Sequence, residues 1–104
     1  MPEPSSTLPP HFALSLEAFT TVIGDATRWR ILAELSKGQS LMVLEIARAI
    51  GRSATVVSKH LKVLRVAGVV EVGRGRMYQI VGPYRIESGI LEFGYGRLRM
   101  AGQH

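Results

Sequence analysis

Residues 51–68 read Gly51-Arg-Ser-Ala-Thr-Val-Val-Ser-Lys-His-Leu-Lys-Val-Leu-Arg-Val-Ala-Gly68, and this stretch decides the fold. Gly51 stops the segment before it. Ser53 then supplies a side-chain oxygen of the kind that caps a helix N-terminus. Val57, Leu61 and Leu64 follow at i, i+4 and i+7, one apolar stripe that packs inward. The pattern predicts a helix through Leu64 to Ala67, stopped at Gly68. Thr55, Lys59 and Lys62 repeat the same spacing two residues earlier. At about 100° per residue they stand roughly 200° round from the aliphatic stripe. One face is aliphatic, the other offers a short hydroxyl and cations, and Ser58 lies beside the polar stripe.

Upstream, Met42, Ile46, Ala47 and Ile50 predict a short helix at about 42–50, closed by Gly51. Before it, Asp25 caps a helix with apolar positions Trp29, Ile31, Leu32 and Leu35, ending at Lys37-Gly38. Leu16, Phe19, Val22 and Ile23 predict a first helix near 15–23, stopped by Gly24. Downstream the composition changes. Val69-Val-Glu-Val72 and Met77-Tyr-Gln-Ile-Val81 are rich in β-branched and aromatic residues, joined through Gly73-Arg74-Gly75. These read as a hairpin with a basic, flexible tip. Pro83 ends it, and a weak fifth helix is expected near 84–100, although Gly89, Gly94 and Gly96 each cost it about 1 kcal/mol. Four of the five prolines lie in residues 1–10, so residues 1–12 are expected to form a disordered lead and 13–104 the folded domain. The architecture expected is mainly α with a small β-hairpin: about five helices and a two-stranded wing, with a helix-turn-helix at Gly51-Arg52-Ser53.

The composition narrows the function. The 104 residues hold 13 Lys plus Arg against 8 Asp plus Glu, net +5, and no cysteine. That length supports one small core. Without cysteine there is no disulfide, no thiolate nucleophile and no Cys-ligated metal site. No apolar run approaches the roughly 18 residues of a membrane helix, and Met1-Pro-Glu-Pro-Ser5 does not resemble a secretion signal. A soluble, cytoplasmic protein without membrane partner is expected. The sequence offers no paired carboxylates on a common face, no Gly-rich phosphate loop and no Ser–His–Asp set that the fold would bring together, so neither catalytic residues nor a cofactor are expected.

The charge is concentrated. Residues 48–76 contain seven bases (Arg48, Arg52, Lys59, Lys62, Arg65, Arg74, Arg76) and one acid, Glu71, a net +6 that exceeds the whole chain's. A merely solvated helix face mixes signs. A helix entering the major groove of double-stranded DNA needs small donors near its N-terminus and long cations further along. Ser53, Ala54, Thr55 and Ser58, followed by Lys59 and Lys62, fit that gradient. Arg52 sits at the same helix N-terminus, which attracts phosphate. Arg74 and Arg76 flank Gly75 on a narrow ribbon suited to the minor groove or its phosphates, the alternative being a solubilising turn. A winged-helix module that binds protein, and a nonspecific architectural DNA binder, remain as competing readings.

Three runs carry a family resemblance: Asp25-Ala-Thr-Arg-Trp-Arg-Ile-Leu-Ala-Glu-Leu35, Leu44-Glu-Ile-Ala-Arg-Ala-Ile-Gly51, and Thr55 through Val70. Over about residues 15–82 the chain resembles the ArsR/SmtB group of bacterial winged-helix repressors, most specifically at Val57-Ser-Lys-His-Leu-Lys62-x-Leu64 leading to Ala67-Gly68. The resemblance implies a homodimer built from the first and last helices, an operator with two half-sites, and repression relieved by a signal whose nature the sequence leaves unknown. It gives His60 a hydrogen bond at the edge of the DNA interface or within the helix-turn-helix packing. The thiolate pair of the family's arsenic and cadmium sensors falls at Met42 and Leu44, and residues 84–100 hold Glu87 and Glu92 but no histidine. No metal site of the family's kind is therefore expected, and a set of His11, Glu87, Glu92 and His104 lacks any fixed geometry. Trp29 stands where an aliphatic residue is also common, and reads as core in preference to a ligand pocket. Ile86, Ile90, Leu91, Phe93, Tyr95, Leu98 and Met100 are expected to give the last helix its dimer surface.

Overall fold

The computed structural model describes residues 15–81, 85–87, 90–92 and 97–99. Four helices come first: α1 (Leu16–Ile23), α2 (Ala26–Leu35), α3 (Val43–Ile50) and α4 (Ala54–Val66). Each start has its own cap. Ser15 Oγ accepts the Ala18 N–H at 3.1 Å, and Asp25 Oδ1 accepts those of Thr27 and Arg28 at 2.8 and 3.1 Å. Glu45 reaches back to the Met42 N–H at 2.8 Å, and Ser53 Oγ accepts the Val56 N–H at 3.2 Å. Met42 is thus a cap residue, exposed, and not part of the buried stripe of α3. The second helix stops at Leu35, with Ser36 as its C-cap, slightly before the expected Lys37-Gly38.

The core forms where the apolar stripes of α2, α3 and α4 meet. Ile31, Leu32, Leu35, Ile46, Val57, Leu61 and Leu64 are fully buried there, with Phe19 of α1 closing one side. Between α3 and α4 the chain turns at Gly51. Its φ of 71° is left-handed, a conformation open to glycine because it has no Cβ to clash. That turn sets α4 across α2 and α3 and leaves its other face outside.

Strand β1 (Val70–Val72) follows α4 directly and pairs antiparallel with β2 (Tyr78–Ile80), with Val70 opposite Ile80 and Val72 opposite Tyr78. Val70 and Ile80 are buried, which pins the hairpin to the helices. A second anchor comes from the α2–α3 loop. Leu41 and Tyr78 exchange backbone hydrogen bonds at 2.9 and 2.7 Å, and Ser40 Oγ donates to Gln79 Oε1, whose amide donates to Glu71. Tyr78 is half-buried against the core, as a cross-strand packing residue would be. The expected flexible tip is a closed turn. Residues Arg74–Arg76 form one 3-10 turn, held by Arg76 N–H to Gly73 O and Gly73 N–H to Met77 O.

The expected fifth helix does not form. Within 84–100 the described residues are strands β3 (Arg85–Glu87), β4 (Ile90–Glu92) and β5 (Arg97–Arg99), an antiparallel sheet in the order β3-β4-β5. Glycines at 89, 94 and 96 weaken a continuous helix by about 1 kcal/mol each. The register sets Leu91 opposite Leu98 and Glu92 opposite Arg97, pairings favourable in a sheet. Strands therefore stand, among the described residues, where the last helix was expected to give the dimer surface. The expected lead over residues 1–12, together with His11 and His104, lies outside the described residues.

Candidate nucleic-acid interface

On α4 the side chains divide by angle. Val57, Leu61 and Leu64 point into the core with none of their surface exposed. Arg52, Ser53, Thr55, Ser58, Lys59, Lys62 and Arg65 are exposed, and Ala54 is half-buried at the first turn. The helix therefore shows solvent a hydroxyl-bearing N-terminal end and a cationic body. Ser53 is engaged as the cap acceptor, so what its hydroxyl retains for a ligand is its own proton. Arg74 and Arg76 are exposed on the wing, as is Arg48 on α3. Arg76 has φ 59°, left-handed for a residue with a Cβ, next to Gly75 at φ 73°.

His60 is set apart from the other residues named for this face. It is half-buried, with Nδ1 3.2 Å from Arg28 Nη1 and 3.9 Å from Asp25 Oδ1. Its contact is with the start of α2. Two backbone N–H groups, that of Arg28 foremost, hold the Asp25 carboxyl below its ordinary value, with smaller help from His60 and the Arg28 charge against partial burial.

Two features of this region were not read from the sequence. The first is the set of ties made by Arg28, whose motif carried only family information. The second is a run of exposed valines: Val56, Val63 and Val66, the last 78% exposed. Val63 and Val66, with half-buried Val22 and Ala67, border an apolar groove between α4 and α1, while Val56 and Val63, seven apart, border a second hollow with Arg28, Lys59 and His60. Their periodicity was available but sits beside the stronger Val57–Leu61–Leu64 stripe. Trp29 is half-buried against the core and also borders an open cleft with Ile23 and Arg30. Among the described residues, no three His, Cys, Asp or Glu side chains are placed to hold a metal ion. None of the described helices is long and apolar enough to cross a membrane.

Three packed helices, a glycine turn before an outward-facing helix, and a hairpin joined to its end define a winged helix-turn-helix domain. Residues 23–73 match the family described as a helix-turn-helix domain, which spans α2 to the end of β1 and points to a DNA-binding regulator of transcription. Comparison with curated proteins gives no match.

Proposed function

We propose that the protein is a sequence-specific, dimeric, non-catalytic repressor of the ArsR/SmtB kind that reads a two-half-site operator. One observation carries the reading: Thr55, Lys59 and Lys62 stand exposed on the helix that follows the glycine turn, opposite its buried stripe, with Ser58 exposed beside them. Two such helices would enter successive major grooves about 34 Å apart on one side of the duplex. Thr55 and Ser58, with Ser53 and Ala54 at the helix start, supply contacts to base edges or nearby phosphates. Arg52, Lys59, Lys62, Arg74 and Arg76 supply charge against phosphate.

A second reading has support from Val56, Val63 and Val66, which place an apolar flank beside the same helix and suit a protein partner. Selection of bound fragments from random DNA, followed by titration of the winning duplex and a scrambled one, separates the readings. A regulator prefers its selected duplex by about 10³ or more at physiological salt. A ratio near one marks a nonspecific binder, and no binding to either duplex leaves the protein-interaction module. Sedimentation of the complex reports whether two chains occupy each site.

A further inference from the structure

We propose that Arg28 is a positioning residue for DNA reading: it fixes the pose of α4 by tying His60 to the end of α1. The inference rests on the DNA-reading role given to α4 above. Arg28 lies in the first turn of α2, where the helix dipole disfavours a cation. Its place is explained by what the guanidinium reaches. Nε donates to the Val22 carbonyl and Nη2 to the Thr21 carbonyl at 3.4 Å. Those carbonyls belong to the last turn of α1, where a helix leaves acceptors without partners and favours positive charge. Helix α1 has no basic residue in its own last turn, so Arg28 supplies that charge from the next helix.

The remaining arm goes to α4. A guanidinium only donates, so at 3.2 Å from Nη1 the His60 Nδ1 is the acceptor. His60 follows Lys59 directly and lies one turn beyond Val56, and both of those residues border the same groove as Arg28. One planar group thereby joins the end of α1, the start of α2 and the middle of the reading helix. Asp25, whose Oδ1 lies 3.9 Å from the same Nδ1 of His60, caps α2 and keeps Arg28's own backbone in place through the 3.1 Å bond to its N–H. A lysine keeps the charge but has a single ammonium head and cannot span the three acceptors.

The test measures affinity for the selected and scrambled duplexes as a function of salt, with thermal unfolding followed alongside. Arg28→Lys and His60→Leu are each expected to weaken binding to the selected duplex about tenfold. Binding to scrambled DNA and the slope of log affinity against log salt stay as in the unmutated protein. His60→Asn, which keeps an acceptor near the position of Nδ1, restores most of the loss. The double variant Arg28→Lys/His60→Leu is no weaker than either single one, because both remove the same tie. A salt slope reduced by about one per chain makes Arg28 a phosphate contact and overturns the proposal. So does an unchanged preference, or additive losses in the double variant. Should Arg28→Lys fail to fold, the His60 pair decides alone. Equal affinity of the unmutated protein for both duplexes instead overturns the reading beneath it.

Discussion

Arg76 adopts a backbone conformation, φ 59°, that glycine reaches without the Cβ clash a side chain meets. A non-glycine residue held there stores on the order of 1 kcal/mol, tolerated where the side chain has a task. Arg76→Gly is therefore expected to raise the unfolding free energy by up to about 1 kcal/mol while weakening DNA binding. Urea unfolding and a binding titration on the same sample check both halves; lower stability together with unchanged affinity would contradict them. Asp25 gives the opposite case, a side chain that acts on the fold. Its carboxyl is held below the ordinary value of about 3.9, so its extra stabilisation exists above that pH and disappears as pH falls through the lowered value. Asp25→Ala should cost about 1 kcal/mol at pH 7. The gap between the two proteins should narrow in urea titrations as pH falls through that lowered value.

Helix α4 has to satisfy two neighbours at once, the core and whatever lies outside. Leu61 is fully buried among α2, α3 and α4, whereas Val66 at the other side is 78% exposed. Leu61→Ala removes packing that cannot fully collapse and should cost about 2–5 kcal/mol. Val66→Ala should stay within about 0.5 kcal/mol of the unmutated protein. Similar losses for both would place Val66 in an interface that is formed in solution. The wing is likewise an element with two attachments. Val70 and Ile80 seat it on the core, and the Leu41–Tyr78 pair joins it to the loop before α3. Arg74 and Arg76 therefore project from a fixed base.

For the whole molecule the governing quantity is charge. The chain carries +5, and residues 48–76 hold seven bases against one acid. A dimer neutralising roughly six to ten phosphates should lose about 10³–10⁵ in affinity between about 50 and 200 mM salt. Lys62→Ala should weaken selected and scrambled DNA alike and flatten that slope, whereas Thr55→Ala should change which sequence is preferred. Equal losses on both duplexes for both variants would contradict this division of labour.

The four helices, their caps at Asp25 and Ser53, the glycine turn and the hairpin are legible in the order of residues, because they follow from local chemistry repeated at helical or strand spacing. That order also separates the inner stripe of α4 from the outer one, since a regular helix fixes angle by residue number. The region after Pro83 departs from its expected helix for the same reason. Its apolar residues permit a helical stripe, and only the pairing of β4 with its two neighbours resolves Arg85–Glu87, Ile90–Glu92 and Arg97–Arg99 into strands. Tertiary structure alone decided that His60 turns inward onto Arg28, 32 residues away, and that Val56 and Val63 stay uncovered. Contacts between distant residues depend on how the elements cross, and neither periodicity nor composition encodes that crossing directly.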